Sequence, residues 1–106
     1  MSRMPVQPVE VRVRVAGIVL EQDSILLVKH RKGEHSYWML PGGGVNPGET
    51  LHDALIREFW EETRVNIEVG DLVLVNDSIA PDHSRHVVNL HFLARIASGV
   101  PATGED

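Results

Sequence analysis

The chain has 106 residues, 42% apolar and 24% charged, a balance that predicts one soluble folded domain with a single core and no room for a second. Cysteine is absent, which excludes disulfides, thiolate metal sites and cysteine nucleophiles. Fifteen acidic residues against ten basic ones leave a formal net charge of -5, so no long-range field holds duplex nucleic acid, and a phosphorylated ligand would need divalent cations to reverse the local sign.

In chain order, residues 1–8 read as a flexible N-terminus with prolines and no apolar secretory segment, which predicts a cytoplasmic protein. Residues 9–20 (VEVRVRVAGIVL) alternate valine with Glu10, Arg12 and Arg14 and then turn apolar, predicting a half-buried strand that runs into a buried one. The apolar part is far short of the roughly 18 residues needed to cross a bilayer, so no membrane partner is expected. Glu21 to Ser24 turn the chain, and residues 25–29 (ILLVK) predict a second strand, the hairpin partner of the first. His30 to Ser36 read as a polar, basic loop, and Tyr37 to Leu40 as a short apolar segment ended by Pro41-Gly42-Gly43-Gly44.

Residues 50–63 (TLHDALIREFWEET) hold no proline or glycine and begin with Thr50 three residues before Asp53, a capping-box-like start that predicts a helix. At 100° per residue, Leu51, Leu55 and Phe59 share one face while Ile56 and Trp60 form a second apolar stripe, so two sides of the helix seek burial. Beyond it, residues 66–76 are strand material around Gly70-Asp71, 77–85 a polar loop, 86–96 another strand, and 97–106 a loop or truncated tail. Asn89 and His91 alternate with Leu90 and Phe92 and fall on an open strand face, where they either line a cleft or meet solvent. His83, His86 and His91 match no zinc spacing. The order strand, strand, loop, helix, strand, strand indicates an α+β or α/β sandwich with mixed pairing, in one domain over 1–106.

Glu58, Glu61 and Glu62 stand at i, i+3 and i+4, which brings three carboxylates onto one helical sector where they repel without a partner. Divalent cations with oxygen-ligand preference, Mg²⁺ above all, remove that cost. A solvated acidic face is the plain alternative. It weakens because Gly42 to Glu49 (GGGVNPGE) directly precede the helix, and a glycine-rich loop that enters a helix N-terminus favours close approach to an anion.

Gly43 to Val65 (GGVNPGETLHDALIREFWEETRV) resemble the box of the Nudix hydrolase family. Gly43, Glu49, Arg57, Glu58, Phe59, Glu61, Glu62 and Val65 match eight of its nine specified positions with correct gaps. The departure is Arg64, where the family carries glycine; it implies either a left-handed arginine or a helix exit of different shape. Trp38 and Leu40 ahead of Pro41-Gly42-Gly43 extend the likeness. The resemblance implies an α/β/α sandwich with a mixed sheet, and against that pattern the chain reads as C-terminally short, with no helix signal after Ile96.

It also implies Mg²⁺-dependent hydrolysis of a diphosphate linkage in a nucleoside diphosphate derivative, whether ADP-ribose, a nucleotide sugar or a nucleoside triphosphate. Mn²⁺ is the expected substitute ion. Glu58, Glu62 and the Gly43 carbonyl are the implied metal ligands, with Glu61 either a further ligand or the group that orients water. Arg57 holds Glu61, and Glu49 fixes Arg57 or a second ion. The general base stays open between the box and a later acid, Asp77 or Asp82. Lys29, His30, Arg31 and Lys32, the only basic cluster, are candidates for phosphate or sugar contact with solvated loop charge as the alternative, and Tyr37 and Trp38 are candidates for stacking on a base, with a core role as the alternative for Trp38. The small-molecule substrate is the expected partner and a homodimer is a state the family allows. A catalytically silent nucleotide-sensing or protein-binding module is the alternative function.

Overall fold

The computed structural model describes residue 3 and residues 10–101. The expected flexible segment 1–8 and the end of the expected tail, 102–106, fall almost wholly outside the described residues. The elements are β1 (Val11–Glu21), β2 (Ser24–Ile25), β3 (Val28–Lys32), β4 (His35–Met39), β5 (Gly42–Gly44), α1 (Leu51–Thr63), β6 (Asn66–Ile79) and β7 (His86–Ser98).

β1 is the organising strand: β7 runs parallel to it from Val11↔His86 to Val19↔Ala94, and β5 pairs antiparallel through Arg14↔Gly44, Val15↔Gly43 and Ala16↔Gly42. β6 forms a long antiparallel hairpin with β7, with register shifts between Val69 and Leu74 around Gly70-Asp71. The mixed sheet with a helix against it agrees with the expected α/β layering, α1 being the only helix among the described residues.

The core lies between α1 and one face of this sheet. Val15, Val19, Leu55, Phe59, Val65, Ile67 and Phe92 are buried there, and Phe59 is fully enclosed. Gly17 makes room for it, since a Cβ there would sit 2.5 Å from Phe59 Cε2. Enclosing such a ring contributes about 1.5–3 kcal/mol.

Four expectations need correction. The basic loop at 30–36 is an antiparallel arm, β3 with β4, turning at Gly33, which has φ of 64°. The arm has no buried face and so no period-2 apolar signal. The strand expected at 25–29 is broken, because only Ser24 and Ile25 pair with β1 while Val28 and Lys29 belong to the arm. The second apolar stripe of the helix is not buried by the described residues: Ile56 and Trp60 keep 37% and 45% of their surface, as only the Leu55–Phe59 side meets the sheet. β6 also extends three residues beyond the expected end, from Asn76 to Ile79.

Candidate active site

α1 begins as its sequence dictates. Thr50 lies in extended backbone and its hydroxyl accepts from the Asp53 amide at 3.0 Å. It ends at Arg64, whose φ of 61° and ψ of 30° are left-handed, with its amide donating to the Trp60 carbonyl at 2.9 Å. The left-handed alternative is thus the one adopted, and the guanidinium lies 5.5 Å from the Trp60 ring centroid.

β5 sets the glycine loop against the helix. A Cβ on Gly43 would fall inside the Glu58 carboxyl, so the glycine permits the backbone and this carboxylate to touch. One turn further, Glu62 meets Glu58 and the backbone of Gly42. Its carboxyl is pushed up to about 7, first by burial and then by the negative charge of Glu58, while the Gly42 hydrogen bond and the charge of Arg14 act in the opposite direction. Glu62 Oε2 is buried with no hydrogen-bond partner.

Arg57 ties the loop to the helix. It donates to Glu49 through Nε at 2.7 Å and Nη2 at 2.9 Å, to the Gly44 carbonyl at 3.0 Å and to Glu58 at 2.8 Å. Glu49 also accepts from the Asn46 amide at 3.0 Å. These bonds hold the Glu49 carboxyl down at about 2, the Arg57 hydrogen bond being the largest cause. They raise the guanidinium above its ordinary range, with Glu49 as the first cause.

The structure therefore divides the three acids that the sequence puts on one sector. Glu58 and Glu62 come together at Gly42-Gly43, whereas Glu61 is exposed and faces Arg57 at 3.4 Å. Among the described residues no group of three or more His, Asp or Glu side chains is gathered as a metal cage. Two carboxylates with one orphaned buried oxygen, beside backbone that only glycine allows, still form a hard oxygen donor set of the kind Mg²⁺ takes when it keeps several waters.

Of the other candidates, Lys29 and Trp38 are cross-strand partners on the arm, with Lys29 Nζ 6.0 Å from the Trp38 ring centroid, and Arg31 stands opposite Ser36. Trp38 is 64% exposed, so it serves no core. Asp77 contacts His86 at 2.9 Å and Asp82 accepts from the Ser84 hydroxyl at 2.6 Å, and among the described residues neither gathers with Glu58 and Glu62 into a group of three acids. Sequence reasoning missed Arg14, which donates to the Leu40 carbonyl at 3.3 Å and whose charge reaches Glu62. Only the pairing of β1 with β5 identifies it.

The NUDIX domain model matches residues 11–106. The chain is 37% identical over 108 residues to the 8-oxo-dGDP phosphatase of Homo sapiens, covering 96% of this chain and 32% of that protein. It is 35% identical over 95 residues to the ADP-ribose pyrophosphatase of Methanocaldococcus jannaschii, covering 89% and 56%. It thus spans from about a third to just over half of these curated relatives. The crystal structure of a MutT NUDIX hydrolase from Burkholderia pseudomallei superposes with a TM-score of 0.79 at 33% identity, over 91% of this chain and 75% of that one. No helix among the described residues is long and apolar enough to cross a membrane.

Proposed function

The chain belongs to the NUDIX domain family, and from that premise we propose that it is a pyrophosphohydrolase that cleaves a diphosphate linkage in a nucleoside diphosphate derivative. The observation that carries this reading is the meeting of Glu58 and Glu62 at the Gly42-Gly43 backbone. ADP-ribose, a nucleotide sugar or a nucleoside triphosphate fits, because the site addresses diphosphate and not the base. The relatives named above span that range, one being an ADP-ribose pyrophosphatase and one an 8-oxo-dGDP phosphatase.

In the reaction a water oxygen bonds to phosphorus, the bridging P–O bond breaks with its electron pair leaving on the departing phosphate, and the water gives up a proton. Glu58, Glu62 and the Gly43 carbonyl are the groups that would hold Mg²⁺, or Mn²⁺ in its place. When bound, the ion neutralises the diphosphate and acidifies water. Glu61, exposed and sharing Arg57 with Glu58, would be a further ligand or orient the attacking water. Arg57 is a positioning residue: it fixes Glu58 and the Gly44 carbonyl in one frame with Glu49. Lys29, Arg31 and Trp38 lie on the arm that leads into the glycine loop, which supports them as contacts for the far part of a nucleotide.

The test is Mg²⁺-dependent product release from ADP-ribose, nucleotide sugars, dinucleoside polyphosphates and nucleoside triphosphates. One class is expected to be cleaved, and Glu58→Gln is expected to lower its turnover by at least about a hundredfold with the fold retained. Unchanged turnover in that variant refutes the role of Glu58. Binding without cleavage across the panel would instead favour a silent nucleotide-sensing module.

A further inference from the structure

We propose that Arg14 is a second positioning residue of the active site, holding the start of the glycine segment as Arg57 holds its end; this rests on the hydrolase reading above. Arg57 reaches from α1 and donates to the Gly44 carbonyl at 3.0 Å. Arg14 reaches from β1 and donates to the Leu40 carbonyl at 3.3 Å. These two carbonyls stand on either side of Gly42-Gly43, so a guanidinium clamps each end of the stretch where Glu58 and Glu62 meet.

Strand geometry explains why the residue at position 14 reaches that carbonyl. Arg14 lies opposite Gly44, Val15 opposite Gly43 and Ala16 opposite Gly42. Val15 belongs to the core beneath α1, so Arg14 and Ala16 project to the other face of the sheet. On that face only Ala16 and Gly42 lie between Arg14 and the Leu40 end, neither with a side chain larger than a methyl, which leaves an open track for the arginine stem. The backbone is pinned along the same stretch, since the Gly17 amide donates to the Pro41 carbonyl at 2.9 Å and the Val45 amide to the Val13 carbonyl at 3.1 Å.

The two arginines also face different acids. Arg57 is engaged by Glu49, Glu58 and Glu61, whereas the charge of Arg14 acts on Glu62. Glu62 meets the backbone of Gly42, two residues after Leu40, so a shift of the Leu40-Pro41 connector carries directly to that contact. A charge role and a positioning role for Arg14 predict opposite signs. A cation beside carboxylates repels a second cation, so an arginine acting by charge alone weakens divalent-ion binding, and its removal tightens it. An arginine that holds the loop does the reverse: its removal loosens the ion.

The experiment measures the Mn²⁺ affinity of the whole chain without substrate, by electron paramagnetic resonance of the free ion, in the parent, Arg14→Lys and Arg14→Gln. Glu62→Gln is the control that locates the ion. Both Arg14 variants are expected to bind Mn²⁺ at least about fivefold more weakly, and to lower kcat about tenfold with KM within about twofold, at melting midpoints close to the parent's. Lysine keeps the charge without the planar fork, so Arg14→Lys carries the test alone if Arg14→Gln does not fold. In metal-free chain, the NMR amide signals of Gly42, Gly43 and Gly44 are expected to move in Arg14→Lys. Parent-like affinity and kcat in Arg14→Lys, tighter Mn²⁺ binding in Arg14→Gln, or unmoved glycine amides overturn the proposal. Glycine amides that move in a chain whose parent neither binds Mn²⁺ nor hydrolyses a nucleotide would overturn the hydrolase reading and leave the clamp standing.

Discussion

Arg57 and Glu49, eight residues apart, join through two parallel hydrogen bonds of 2.7 and 2.9 Å, and this fork closes the glycine loop onto the helix. The geometry needs a planar guanidinium, because a lysine ammonium supplies one point charge and cannot also reach Gly44 and Glu58 in fixed directions. Arg57→Lys is therefore expected to lower kcat while leaving the thermal midpoint close to that of the parent. A kcat within about twofold of the parent would show that the fork does not set the position of Glu58.

The same fork gives an acid dependence whose sign follows from Glu49. Its carboxyl goes from an ordinary 4.5 in the unfolded chain to about 2 in the folded one. The unfolded state thus binds more protons between those values, so the contribution is complete above about pH 4.5 and is lost as pH falls through about 2. The urea midpoint of Glu49→Gln should lie below the parent's at pH 7, and the gap should narrow toward pH 2. A gap independent of pH would mean that packing, not charge, links these residues.

Glu62 has the opposite sign. Its folded carboxyl is raised from 4.5 to about 7, chiefly by burial, so the folded chain binds more protons in that window. Stability is present below about pH 4.5 and is lost as pH rises through about 7 in metal-free protein. Glu62→Gln keeps the shape without the charge and is expected to melt higher than the parent at pH 8 and equally at pH 4, while losing turnover. Melting curves in chelator, with equal midpoints at pH 8, would refute this.

Gly43 allows a separation of fold from chemistry. A Cβ there meets the Glu58 carboxyl, a side-chain end that can swing away, whereas a Cβ on Gly42 would press on the backbone of Val15 and Ala16. Gly43→Ala should fold with a small loss of stability and lose most activity, and Gly42→Ala should lose stability first. Equal melting midpoints for the two variants would contradict the contact geometry.

The sequence discloses α1 and its box because a cap, a 3.6-residue period and spaced acids all act within one helix. What it hides depends on pairing. The β3–β4 arm presents Lys29, Arg31 and Trp38 with no buried face, so nothing periodic distinguishes it from a loop. Arg14 and Asn89 stand side by side only through strand register, and Glu58 and Glu62 meet at Gly42-Gly43 while Glu61 stays exposed on the other side of Arg57. Helical spacing brings charges to one sector, and the glycine backbone packed against it gathers two of them.

Arg64 is the one departure from the box, and magnitudes decide what restoring glycine does. A side chain in the left-handed region costs about 1–2 kcal/mol, which Gly would recover. Glycine gives back about 0.5–1 kcal/mol in unfolded-chain entropy, and losing the guanidinium over Trp60, an exposed contact, forfeits about 0.5 kcal/mol. The terms nearly cancel, so Arg64→Gly should change stability by less than about 0.5 kcal/mol. A β-branched residue keeps the conformational cost, adds crowding and loses the ring contact, so Arg64→Val should destabilise by about 1–2 kcal/mol. Urea unfolding of both variants separates the terms: a large gain for glycine would mean that the Trp60 contact carries nothing, and a harmless valine would mean that the helix exit is free to leave the left-handed region.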